Sequence, residues 1–169
     1  MKKIILFDSK RGTTKEIAYQ IVSKMNTPSD ISAIDRISSK ELDSYDIIIL
    51  GAPAYAGNLR KQTKNFLSEN IATLTEKRLL LFSLGLQFNP DEITKQINEL
   101  FPKELMNHAE MNVFLGGKVD FSKLNVFERL IMKKILSNNG INNLTKTSCY
   151  ENLKFQALDE LINTINHIS

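Results

Sequence analysis

Ile4, Ile5, Leu6 and Phe7 form an unbroken apolar run that stops at Asp8. Four apolar residues in a row show no alternation, so a strand made of them needs cover on both faces. Ser9, Lys10, Arg11, Gly12 and Thr13 follow. From Thr14 to Met25 the apolar residues Ile17, Ala18, Ile21, Val22 and Met25 recur at helical spacing. Buried strand, short polar turn, helix: that order suits the capture of an anion. The first N–H groups of a helix lack intrahelical acceptors and carry about half a positive charge. Ser9, Thr13 and Thr14 add hydroxyl donors, and Gly12 permits close backbone approach. Thr13 reads as the helix cap, with Glu16 completing a capping box. The alternative reading of the turn alone is an ordinary capped strand-to-helix junction.

The same punctuation recurs along the chain. Residues 31–34 read as a short second strand and 39–44 as a short connection. Ile47 to Leu50 is a third strand ending at Gly51, with a loop over Ala52–Asn58 and a helix over Lys61–Asn70. Leu79 to Leu84 is a fourth strand, followed by the loop Gly85–Asn89 and a helix over Asp91–Leu100. Ala109 to Leu115 is a fifth, closing on Gly116-Gly117. Apolar strands alternating with helices predict an α/β, doubly wound, five-stranded parallel sheet with helices on both faces. Ligands of such sheets bind beyond the carboxyl ends of the strands. The three loops at 8–13, 52–58 and 85–89 lie there.

The 169 residues read as a single domain, 1–169, in which 118–148 is an insert between the fifth strand and the last helix. Within the insert, 124–136 has helical spacing: Leu124, Phe127, Leu130, Ile131 and Ile135, with the cations Arg129, Lys133 and Lys134. The last helix is expected from Tyr150 to Ile168, with Leu153 on its buried face.

Composition narrows the class. No apolar run approaches the roughly 20 residues of a spanning helix. Lys2 and Lys3 precede only four apolar residues, short of the roughly 7–15 of a signal segment, so a cytoplasmic location is expected. The single cysteine, Cys149, excludes an intrachain disulfide framework and a multi-cysteine metal site, and His108 and His167 have no ligand spacing. A net charge of +3 is too small to argue for nucleic acid.

In the second loop Tyr55 is placed to stack on a planar ring, and Gly57 to adopt a backbone angle closed to other residues. In the third, Leu86 and Phe88 form either the ring's other wall or cover for the local core. Together the loops suit a phosphorylated planar cofactor. At the motifs Ser9-Lys10-Arg11-Gly12-Thr13-Thr14 and Ile49-Leu50-Gly51-Ala52-Pro53-Ala54-Tyr55-Ala56-Gly57 the chain resembles the flavodoxin superfamily. The resemblance implies a sheet in the order 2-1-3-4-5 and bound FMN. It implies cofactor contacts from Ser9, Lys10, Arg11, Gly12, Thr13 and Thr14, from Pro53, Ala54, Tyr55, Ala56 and Gly57, and from Ser83, Leu84, Gly85, Leu86 and Phe88. The family's phosphate loop is usually T-x-[TS]-G-x-T; Ser9, Gly12 and Thr14 match, and Arg11 stands where the middle hydroxyl would be.

Within that superfamily the segments 116–118 and 127–136 are similar to the group that includes the menaquinone-dependent protoporphyrinogen dehydrogenase. The expected function is electron transfer through bound FMN, with no catalytic side chain and no metal. One alternative is an FMN-dependent protoporphyrinogen or quinone oxidoreductase acting at the membrane surface; another is a partner-binding domain that has lost FMN. Expected partners are a redox protein or a quinone, with residues 124–136 suited to peripheral contact with the inner face of a membrane.

Overall fold

The apolar runs lie side by side in the computed structural model, which describes residues 1–168. Numbered in chain order, the strands are β1 (Lys3–Phe7), β2 (Asp30–Ala33), β3 (Ile47–Tyr55), β4 (Asn58–Leu59), β5 (Arg78–Leu84), β6 (Met111–Phe114), β7 (Gly116–Asp120) and β8 (Cys149–Leu153). The helices are α1 (Thr13–Ser23), α2 (Ser39–Leu42), α3 (Lys61–Glu76), α4 (Pro90–Glu99), α5 (Lys103–His108), α6 (Val126–Asn138) and α7 (Phe155–His167). Five parallel strands pair in the order β2-β1-β3-β5-β6, which is the expected 2-1-3-4-5 among the parallel strands. One register line crosses the whole sheet through Ile31, Ile5, Ile49, Leu80 and Met111.

Successive residues of a strand point to opposite faces, which explains why the central runs do not alternate. Ile4, Leu6, Ile48, Leu50, Leu79 and Leu81 pack with Phe66, Leu67 and Leu74 of α3 and Leu105 of α5. Ile5, Phe7, Ile47, Ile49, Leu80 and Phe82 pack with Ile17, Ala18 and Ile21 of α1 and with Leu158, Leu161, Ile162 and Ile165 of α7. The sheet is thereby covered on both sides.

Element boundaries shift from those expected. Helix α3 runs on to Glu76, six residues past Asn70. The last helix starts at Phe155, because Cys149–Leu153 forms β8 and pairs antiparallel with β7. The insert is therefore a β-hairpin carrying a helix. Its own small core holds Val119, Phe121, Leu124 and Leu136. Helix α6 turns Val126, Phe127, Leu130 and Ile131 to solvent, and Leu136 and Met132 inward.

Candidate functional site

The loop after β1 is fixed at both ends. The Asp8 N–H donates to the Gly51 carbonyl at 3.0 Å. The buried Asp8 carboxylate accepts from Arg60 Nη1 at 2.5 Å and Thr63 Oγ1 at 2.6 Å, tying the loop to the start of α3. Gly12, with φ 96°, is the N-cap of α1, and its N–H donates to Ser9 Oγ at 3.1 Å. This corrects the expected capping box. A left-handed glycine turns the chain one residue early, so Thr13 is already helical and Glu16 pairs instead with Lys118 Nζ at 3.1 Å. No side chain caps α1, and its first-turn N–H groups face the loop without a side-chain acceptor.

The second loop is mostly strand. Pairing of Ala54 with Leu59 and of Tyr55 with Asn58 carries β3 past Gly51 to Tyr55. Ala56 (φ 48°) and Gly57 (φ 73°) form the two-residue turn between them; such hairpin turns need positive φ at both positions. Tyr55 sits at the tip, 42% exposed. Burial of its ring pushes the phenol above its ordinary pKa, and the charges of Arg60, Arg11, Asp8 and Glu128 all reach it. The Asp8–Arg60 pair joins the end of this hairpin to the first loop. Pro53, Ala54, Ser83 and Leu84 lie in β3 and β5 with their side chains buried.

The third loop meets the insert. Gly85 N–H donates to the Gly116 carbonyl at 2.9 Å, and a Cβ at Gly117 would stand 2.5 Å from the Gly85 oxygen. Leu86 and Phe88 are half-buried against the insert's core, with the Phe88 and Tyr150 ring centroids 6.1 Å apart. The local-core role expected as their alternative is therefore present.

The insert also reaches the first loop. Asn125 caps α6 in a capping box with Glu128. The Asn125 N–H donates to Glu128 Oε2 at 3.0 Å, leaving Oε1 for the guanidinium of Arg11 and, at 3.7 Å, the ammonium of Lys10. The Asn125 N–H, then Arg11 and Lys10, hold the Glu128 carboxyl below its ordinary pKa. Arg11 Nη1 donates to the Lys123 carbonyl at 2.7 Å. A cavity of about 70 Å³ lies between Arg11, Gly12 and Thr13 on one side and Lys118, Asp120 and Lys123 on the other.

A family profile described as "Flavodoxin domain" matches residues 4–145. The chain belongs to the flavodoxin-domain family. Within and around that family it is 24% identical over 147 residues to the protoporphyrinogen IX dehydrogenase [quinone] of Escherichia coli (strain K12), covering 83% of this chain and 81% of that protein. The two-electron reduced flavodoxin of Megasphaera elsdenii superposes with a TM-score of 0.55 at 16% identity, over 68% of this chain and 85% of that one. Oxidised flavodoxin 2 of Bacillus cereus gives 0.53 at 20%, over 69% and 84%. These structural likenesses speak to the fold.

Arg60, Lys123 and Glu128 were not among the residues the sequence singled out. A capping-box signature, Asn125 to Glu128, was there to be read. Its second carboxylate oxygen, and the Asp8–Arg60 pair across 52 residues, leave no local sequence trace. Among the described residues no group of histidine, cysteine and carboxylate side chains is placed to hold a metal. No helix there is long and apolar enough to cross a membrane.

Proposed function

We propose that this flavodoxin-domain protein binds FMN and passes electrons through it. The observation that carries the reading is the uncapped start of α1 under Gly12, with the Tyr55 hairpin tied to the same loop through the Asp8–Arg60 pair. A phosphate fits the first feature: N–H donors without a side-chain acceptor, hydroxyls on Ser9, Thr13 and Thr14, and a glycine backbone that no Cβ shields. A planar ring fits the second. Tyr55 offers a half-exposed face, and around Gly57 a Cβ would meet nothing within 4 Å. The flavin, when bound, supplies the redox chemistry. The chain's own work is to hold the phosphate at Ser9–Thr14, to orient the ring beside Tyr55 and to limit its exposed edge. The insert, docked on Gly85 and Arg11, borders that edge.

Arg11 is the feature that keeps a partner-binding domain without FMN as an alternative. Its bonds to Glu128 and the Lys123 carbonyl support a structural task for it within the FMN reading.

A second reading, a quinone-linked oxidoreductase working at a membrane surface, is favoured by α6. The segment 116–148 carries six cations and two carboxylates, a net +4 where the whole chain has +3. Phe127 and Leu130 project from it, 70% and 63% exposed. Apolar residues flanked by lysines suit an anionic lipid surface, where a lipid-soluble quinone would be met. The E. coli relative is named for a quinone and for protoporphyrinogen IX.

Visible absorption of the purified protein and quenching of added FMN fluorescence test the first reading. A colourless protein that leaves FMN fluorescence unchanged overturns it. Steady-state reduction of a quinone by the FMN-loaded protein, with protoporphyrinogen as donor, separates the oxidoreductase from a carrier.

A further inference from the structure

We infer that Lys123, supplied by the insert, is a specificity-determining ligand for the phosphate monoester in the Ser9–Thr14 loop. The inference rests on the FMN reading above. Lys123 Nζ is the atom that a Cβ at Gly12 would meet, at 3.9 Å, so the ammonium hangs over the N-cap of α1. A cation at the positive end of a helix is electrostatically misplaced unless an anion lies between them. The bonds that hold Lys123 there are weak: 3.5 Å to the Arg11 carbonyl and 4.0 Å to Asp120 Oδ2. Asp120 is itself engaged, its Oδ1 accepting from the Ser122 N–H at 2.9 Å and the Ser122 hydroxyl at 2.6 Å.

The other two cations at this cavity are committed. Arg11 is bonded to Glu128 and to the Lys123 carbonyl, and Lys118 to both oxygens of Glu16 at 3.1 and 3.2 Å. Lys123 alone of the three has a loosely held charge, on a side chain 56% exposed and free to adjust. Its backbone is nonetheless anchored at 2.7 Å by Arg11. Arg11 therefore exchanges a hydroxyl donor in the loop for a lysine brought in from 112 residues away. A doubly charged phosphate between the ammonium and the first-turn N–H groups satisfies both. Riboflavin, which has the ring without the phosphate, gains nothing from Lys123.

Fluorescence titration of the apoprotein with FMN and with riboflavin tests this on Lys123→Gln and Lys123→Arg. Lys123→Gln is expected to raise the FMN dissociation constant about tenfold, as loss of one charge-assisted hydrogen bond would. Its riboflavin affinity should stay unchanged, and Lys123→Arg should keep FMN affinity near that of the parent. An unchanged FMN affinity in Lys123→Gln overturns the inference, as does an equal loss for both flavins. A parent protein that binds neither flavin overturns the FMN reading itself.

Discussion

The carboxylate of Glu128, at the start of α6, receives the guanidinium of Arg11 from a loop 117 residues earlier in the chain. One side chain thereby serves two purposes. Its second oxygen completes the cap of α6 through the Asn125 N–H, and its first holds the insert against the loop after β1. Arg11, which stands where the family's usual loop has a hydroxyl, is thus the residue that attaches the insert.

The attachment depends on pH in a definite direction. Glu128 is held below its ordinary value of 4.5 by the Asn125 N–H and the neighbouring cations. Its contribution is complete above that value and is lost as the pH falls through the lowered folded value. Hydrogen-exchange protection of the α6 amides should decline across that acid window. In Glu128→Gln, which has nothing to titrate there, protection should stay flat.

Asp8 is the buried hinge between the loop and α3. Asp8→Ala leaves the Arg60 guanidinium and the fully buried Thr63 hydroxyl without their acceptor. The expected loss of stability is about 2–4 kcal/mol, from the urea midpoint. Asp8→Asn keeps an acceptor for Thr63 and should lose about half as much.

Gly117 lets the insert lie against the third loop. A Cβ there would press on backbone atoms, the Gly85 oxygen at 2.5 Å and the Leu86 nitrogen at 3.1 Å. Gly117→Ala should cost about 1–3 kcal/mol. Trypsin should then cut more readily at Lys133 and Lys134 of the insert than in the parent, an effect seen on a gel.

Tyr55 is proposed to act through its ring. Tyr55→Phe should leave FMN affinity within about twofold of the parent, and Tyr55→Ala should weaken it about tenfold in the same fluorescence titration. Equal effects from the two variants would point to the hydroxyl instead.

The exposed face of α6 gives the last expectation. Phe127→Ser and Leu130→Ser together should change thermal stability little, since each exposed substitution typically costs within about 0.5 kcal/mol. Co-sedimentation with vesicles rich in phosphatidylglycerol should fall by about tenfold or more. Binding to purely zwitterionic vesicles should be weak before and after. Loss of a dimer in the variant would assign the face to a second copy of the chain.

Much of the architecture was legible in the one-dimensional pattern because buried parallel strands write themselves as unbroken apolar runs. Ile4–Phe7, Ile47–Leu50 and Leu79–Phe82 each did so, and their pairing followed the order expected. Residues 149–153 did not: with Cys149, Tyr150 and Leu153 spaced between polar neighbours, they blend into the amphipathic helix that follows, and only pairing with β7 makes them a strand. The apolar stripe of α6 left its direction open for a related reason. Periodicity reports that a face is apolar but not which way it points, and here the insert's core takes Met132 and Leu136 instead.

Near the candidate site the division is the same. Local chemistry, with hydroxyls and a glycine between a strand and a helix, marked the candidate loop and its place at the carboxyl end of β1. The sequence by itself could not say what Arg11 was for, or that Lys123 belonged beside Gly12. Those relations join residues 111 to 117 positions apart, and no spacing rule reaches so far. They exist because the insert folds back over the sheet's end, where opposite charges drawn from distant segments come within bonding distance of one another.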